Sequence, residues 1–311
     1  MLTKHMEHFL TRTLGEKPQP LKGHVGQWLA MGTTSLFDTA VSLTCEPGKG
    51  ALLQLSPTRS MYAKVAARRG VTCRSVALNT ERFTLDIDTL LDAITADTSL
   101  VVLCNPNFPT GNLLAAEAVS KVLDLFDGLV VVDESYIDYT PDGSVAHLCE
   151  EYGNLLVMRS MSHAWAAADA RLAVGIARSG LLTCLRHASA TGDVSPLLAE
   201  HYKQLLRRSP EMRKRVNQTV DERNRVAAAL QQLPLGQYVH PSSADFILMR
   251  LPHAQTVYHL LLAAGVEARQ LSYHAELPQL LCIHIGLPHE NARILSTLRG
   301  IQPGMLKTKE K

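Results

Sequence analysis

The sequence has little net charge, no paired cysteines and no long apolar run. Lys and Arg total 31 against 29 Asp and Glu, a formal charge of +2 over 311 residues, too small a surplus to argue for nucleic acid or an anionic membrane surface as partner. The basic KTKEK at 307–311 is read as a solvated tail. The cysteines at 45, 73, 104, 149, 184 and 282 are scattered and form no CxxC pair. They read as reduced thiols in apolar surroundings, not as a disulfide frame. The histidines form no HxxxH or HExxH pair, so no metal centre is expected. No apolar run approaches the roughly 20 residues that cross a bilayer, and MLTKHMEHFL lacks a signal-peptide core. The expected location is the cytoplasm, without membrane contact.

What is present is an alternation of short β-type runs with amphipathic helical segments from residue 27 to about 178, the pattern of a largely parallel sheet covered on both faces. Strands are expected at 27–31, 51–55, 73–78, 99–104, 129–134, 155–160 and 172–177, with helices near 34–45, 59–70, 86–95, 114–126 and 144–151. LVVVD is apolar until it ends in an acid, which suits a central strand delivering Asp133 to the carboxyl edge, where open α/β sheets bind ligands. Beyond 178 the pattern changes to helices at about 195–207 and 211–233, β-type runs at 246–251 and 280–286, and helices at 257–265 and 289–300. The expected fold is α/β, a mostly parallel central sheet flanked by helices, with a large domain over 1–208 and a smaller C-terminal α+β domain over 209–311.

Three segments in order carry a resemblance: NPNFPTGN (105–112), VVVDESYIDY (130–139) and RSMSHAWAAADARLAVG (159–175). With EPGKGALLQLSPTRSMY (46–62) and SADFILMRL near 246, the chain resembles the fold-type-I pyridoxal-phosphate aminotransferases. The likeness is strongest to the histidinol-phosphate aminotransferase group and its relative threonine-phosphate decarboxylase. Such enzymes hold the cofactor aldehyde on a lysine that also shuttles the proton, protonate the pyridine nitrogen with an acid, and grip the phosphate with hydroxyls, an arginine and a helix N-terminus. The resemblance implies that Asp133 faces the pyridine nitrogen and that Tyr136 bonds the ring hydroxyl. It also implies that Thr33 and Thr34 of GTTS (32–35), with Ser160, Ser162 and Arg171, hold the phosphate of pyridoxal or pyridoxamine phosphate. Because the family site lies at a dimer interface, a homodimer, or a heterodimer with a related enzyme, is expected.

The reactive half departs from the pattern. His163 stands at the Schiff-base lysine position, and no lysine occurs from 154 to 178; an imidazole cannot form that linkage. Phe108 replaces a ring-bonding asparagine, Arg59 replaces the aromatic that stacks on the cofactor, and Cys282 replaces the arginine that clamps the substrate carboxylate. The family's N-terminal arm is also expected to be missing, with a helix at MEHFL opening the large domain. Three readings stay open. The chain is a homologue without ordinary transaminase activity that keeps weak cofactor affinity or serves as a partner subunit. It is a lysine-independent enzyme acting on an amino or phosphorylated substrate with His163 as catalytic base, a role that suits an imidazole as a residue type. Or it is a non-enzymatic module that binds a phosphorylated metabolite in the vacated pocket.

Overall fold

The structure, a computed structural model, describes residues 23–235, 237–266, 268–271 and 279–301. The expected MEHFL helix and the basic tail lie outside the described residues. Strands β1 (Val25–Ala30), β2 (Ala51–Ser56), β3 (Thr72–Ala77), β4 (Thr98–Cys104), β5 (Leu129–Asp133), β6 (Leu155–Ser160) and β7 (Ala173–Arg178) form one sheet in the order β1-β7-β6-β5-β4-β2-β3. The pairs β2 with β3, β2 with β4, β4 with β5 and β5 with β6 are parallel, and β7 runs antiparallel to both β6 and β1. The sheet is thus mostly parallel, as the apolar runs imply.

Strand β5 shows why those runs are continuous. Every residue in it is buried, but to opposite faces: Leu129 and Val131 join one core, Val130 and Val132 the other. The first core is capped by α1 (Gly32–Thr44), α2 (Met61–Arg68) and α5 (Ser179–Ala188) through Leu36, Phe37, Val65, Leu181 and Leu185. The second is capped by α3 (Ile87–Asp92) and α4 (Ala116–Leu125) through Leu90, Val119 and Val122. By the same alternation Asp133 falls on the face of Leu129 and Val131, toward α2.

Two expectations need correction. The segment expected as a helix over 144–151 is instead a 3-10 turn, Ala146–Glu150. Buried Glu134 accepts the backbone N–H of Val145 at 2.7 Å and the Ser144 hydroxyl at 2.9 Å, which pins the chain in a tight loop before a full helical turn can start. Helix α5 was not expected, because its ten residues directly continue a strand and carry no side-chain cap. None of the six cysteines is bridged, and no described helix is long and apolar enough to cross a membrane.

The C-terminal part contains α6 (Pro196–Arg207), α7 (Ser209–Gln231), β8 (Tyr238–Val239), β9 (Phe246–Arg250), α8 (Ala254–Ala263), β10 (Ala268–Gln270), β11 (Leu280–His284) and α9 (Pro288–Arg299). Helix α6 starts where Ser195 accepts the Leu198 N–H at 3.3 Å with Pro196 in the first turn. The strands make an antiparallel sheet in the order β10-β11-β9-β8. Strands β8 and β10 are too short to leave a periodic trace in the sequence. Ile247, Met249, Leu281 and Ile283 pack under α7, α8 and α9. Phe246, Leu248, Leu280 and Cys282, on the opposite face, join the core below the large sheet.

His240, 3% exposed, lies 4.8 Å from the Phe83 ring and 4.7 Å from the Tyr238 ring, centroid to centroid. Burial, reinforced by the charge of Arg250, lowers its pKa to about 4 from the ordinary 6.5. The unfolded chain therefore binds this proton more readily, so the contribution of neutral His240 is complete above pH 6.5 and declines as pH falls toward 4. The total loss is at most about 3 kcal/mol. His240→Phe should flatten the slope of urea-unfolding free energy across that window; an unchanged slope would refute the assignment.

Candidate functional site

The carboxyl edge of the large sheet gathers the loops that follow β2, β4, β5 and β6. Asp133, the last residue of β5, is fully buried. Its Oδ2 accepts from Arg59 Nη1 at 2.6 Å and from the Tyr62 hydroxyl at 2.7 Å, while Oδ1 accepts the Ser135 N–H at 3.0 Å and the Ser135 hydroxyl. Arg59 Nη1 also donates to Ser135 Oγ at 2.9 Å. Each carboxylate oxygen thus has two donors, which is its full complement of lone pairs. Burial pushes the Tyr62 phenol well above its ordinary range and the Asp133 charge adds to this, so Tyr62 stays a donor. Burial disfavours the charged Arg59 guanidinium, but Asp133 together with Tyr62, Tyr136 and Cys104 more than offsets it.

The loop after β4 holds this arrangement from the side. Asn105 donates its N–H to the Asp133 carbonyl at 2.9 Å and accepts the Leu114 N–H at 2.8 Å. Asn107 donates to the Pro57 carbonyl at 2.9 Å and accepts from Thr58 at 2.7 Å, which fixes the turn that carries Arg59. Phe108 of the same loop is buried against Phe246 with centroids 5.1 Å apart and lies parallel to Tyr136 at 6.3 Å.

Tyr136 is buried, its phenol pushed up by that burial, and its ring stands 4.4 Å from the His163 ring. His163 Nδ1 lies 3.5 Å from Asp245 Oδ2. Burial alone would raise the Asp245 carboxyl, but the hydrogen bond from His163 with the charges of His163 and His284 outweighs it and holds the group below the ordinary range. His163 also lines a cavity of about 460 Å³ with Arg269, His284, Glu290 and Arg293. Asp245 and the two arginines escaped the reading of the sequence. Residues from four separate segments meet here, and the motifs RSMSHAWAAADARLAVG and SADFILMRL reach two of them.

A second hollow of about 500 Å³ is lined by Thr33, Thr34, Ser162, Asp169 and Arg171. It sits at the N-terminus of α1, whose first turn has no acidic residue and no side-chain cap, so backbone N–H groups face it. Gly32, at φ +82°, allows close approach of the loop: a Cβ there would lie 3.3 Å from the Arg171 carbonyl oxygen. Arg171 is itself at φ 48° and has no ion-pair partner among the described residues. Ser160 is not part of the hollow. Its Oγ lies beneath, accepting the Ser162 N–H at 3.1 Å.

These two halves respond differently to pyridoxal phosphate. The hollow has the donors and charge that a phosphate needs. The ring end does not fit, because the Asp133 oxygens that would meet a pyridinium are filled by Arg59, Tyr62 and Ser135. Among the described residues the aldehyde finds no amine either: Lys49, Lys64, Lys121, Lys203 and Lys214 are all exposed, and none lines either cavity.

Removing Arg59 should expose the cost of the buried acid. Arg59→Leu is expected to lose on the order of 3–5 kcal/mol of stability in urea unfolding, because Asp133 then lacks its cation. Adding Asp133→Asn should recover part of that loss, and no recovery would show that the two residues are not energetically coupled.

A sequence profile of aminotransferase class I and II matches residues 5–296. Histidinol-phosphate aminotransferase of Parabacteroides distasonis is 32% identical over 275 residues, 88% of this chain and 79% of that protein. The crystal structure of histidinol-phosphate aminotransferase from Clostridium acetobutylicum superposes with a TM-score of 0.79 at 22% identity, covering 96% of this chain and 88% of that one. The Sinorhizobium meliloti enzyme of the same name, solved in complex with pyridoxal-5'-phosphate, gives 0.73 at 19% identity, with 97% and 80% covered. At such identities these structures speak for the fold, which is fold type I. Coverage and identity together settle the family: this chain is a member of the class I and II aminotransferases.

Proposed function

We propose that this chain is a histidinol-phosphate-aminotransferase-like protein that has lost ordinary transaminase activity and keeps its phosphate hollow as a binding site for a phosphorylated small molecule. The observation that carries the reading is the Arg59–Asp133 contact at 2.6 Å. A guanidinium there supplies internally the positive charge that a protonated pyridine would bring. His163 at the lysine position adds to it, since the group that would hold the aldehyde is absent. Thr33, Thr34, Ser162 and Arg171 then act on phosphate alone, whether that of a metabolite or, weakly, of pyridoxal or pyridoxamine phosphate. A role as partner subunit to a related enzyme is compatible with the same residues.

The pairing of His163 with Asp245 beside an open cavity favours one further reading, in which His163 serves as a base. The carboxylate would fix the imidazole tautomer and orient its other nitrogen. His163→Asn would then abolish turnover of an amino or phosphorylated substrate while leaving the melting temperature unchanged.

Titration with pyridoxal and pyridoxamine phosphate, followed by visible absorbance and thermal shift, tests the main reading. The wild type should keep no yellow band once free pyridoxal phosphate is removed by desalting, and Arg171→Gln should cancel any phosphate-dependent rise in melting temperature. The double variant Arg59→Tyr, His163→Lys should turn yellow with the cofactor. A yellow wild-type protein would sink the proposal, and a colourless double variant would show that Arg59 and His163 are not what bars the cofactor.

A further inference from the structure

Away from the sheet edge, α7 and the loop after β8 enclose a third cavity, of about 230 Å³. Arg223 and Asn224 of α7 line it together with His240 and Ser242 of the loop, and Ala227, Val239 and Ile247 give it an apolar wall. Arg223 and Ala227 are four residues apart and so share one face of the helix. Val239 stands opposite Met249, which lies two residues from Ile247 in β9, so Val239 and Ile247 share the sheet face under α7. The cavity has no lining residue in common with the one at His163 or with the hollow at α1.

Its wall carries polar atoms without partners. Arg223 Nη1 donates to the Ala244 carbonyl at 2.9 Å, but Nε of the same guanidinium is buried and meets no acceptor among the described residues. His240 is 3% exposed, and its Nε2 is likewise buried and unpartnered. Ser242 Oγ accepts the Ala244 N–H at 3.1 Å and donates its own proton to no described residue. Folded proteins pair nearly all such atoms with protein groups or with an ordered guest. Because both residues line the cavity, rotation of the Arg223 and His240 side chains turns these nitrogens toward a guest.

Charge and size narrow what that guest is. No acid is among the described lining residues. Glu222, next to Arg223, is committed to Arg225 and Asn291, each at 2.8 Å, and Arg223 has no ion-pair partner among the described residues. Burial draws the Arg223 pKa below its ordinary range, and the Asp245 charge does not make up the difference. His240, lowered to about 4 by burial and by Arg250, is neutral at neutral pH and offers a hydrogen bond without a second charge. One uncompensated cation calls for one negative charge. The volume lies below the usual range for drug-sized ligands, so the guest has few heavy atoms.

We propose that this cavity is a separate ligand site for a short-chain aliphatic carboxylate. Arg223 and Ser242 hold the carboxylate, His240 adds an N–H, and the alkyl chain lies against Ala227, Val239 and Ile247. The site does not depend on the phosphate hollow or on any chemistry at His163.

Proton–carbon correlation spectra of the whole chain, titrated with sodium butyrate and with sodium chloride at equal ionic strength, test it. The ring signal of His240, identified by its absence in His240→Phe, should shift saturably with butyrate. Butyrate should bind more tightly than acetate. Arg223→Gln should weaken binding at least about tenfold, and Arg223→Lys should weaken it less. Ala227→Leu fills the cavity from the helix side and should abolish binding with the circular dichroism of the wild type. Should Arg223→Gln fail to fold, because Arg223 also holds the Ala244 carbonyl, Ala227→Leu decides the matter. Absence of a saturable shift at tens of millimolar butyrate would overturn the proposal, as would a drift equal to that with chloride, which marks bulk ions only. Equal affinity for acetate and butyrate, or a shift that survives Ala227→Leu, would overturn it too. Binding lost in Arg171→Gln but kept in Ala227→Leu would place the anion in the hollow at α1 and refute this site.

Discussion

The buried carboxylate of Asp133 is the constraint around which this site is arranged. A strand that is apolar to its last residue carries an acid into a place with no water, where an unpaired charge would cost several kcal/mol. The chain meets that cost with Arg59, Tyr62 and Ser135, drawn from two loops and a helix. Those loops must be held in turn, which is what Asn105 and Asn107 do by bonding to the backbone of β5 and of the turn before Arg59. One acid at a strand end therefore explains the order of a whole sheet edge.

A second layer supports the first. Glu134, the next residue, is buried on the other side of the backbone and pairs with Arg159 at 3.1 Å. Burial pushes its carboxyl up, while Arg159, the Val145 N–H and the Ser144 hydroxyl draw it back. The two acids thus face opposite ways and fasten different loops: Asp133 the turn bearing Arg59, Glu134 the residues Ser144 and Val145 that lead into the 3-10 segment Ala146–Glu150. Arg159 lies one residue before Ser160 at the end of β6, so the same ion pair steadies the strand that leads into Ser162 and His163.

Much of this was legible in the sequence, and the parts that were not share a cause. Continuous apolar runs gave away the parallel strands because burial on both faces leaves no alternation to misread, and the position of Asp133 followed from the end of such a run. Thr33, Thr34, Ser162 and Arg171 were expected to gather, and they do, because a helix N-terminus and the loop after β6 meet at one sheet edge. Ser160 was expected with them but serves the loop from beneath. Arg59 was seen as a lost aromatic; that it turns inward onto Asp133 depends on a pairing across 74 residues, which no local pattern encodes. Asp245, Arg269 and Arg293 are legible only once the antiparallel sheet is assembled, because strand register, not periodicity, decides what faces His163.

That sheet has one further consequence. Alternate residues of β9 and β11 feed two cores, with Phe246, Leu248, Leu280 and Cys282 inserted beneath the large sheet. Swinging the C-terminal sheet away as a hinged flap would return these side chains to water, at about 1.5–3 kcal/mol for each large one. His163 is therefore reached along the open side of its cavity, where the exposed Arg269 and Arg293 stand.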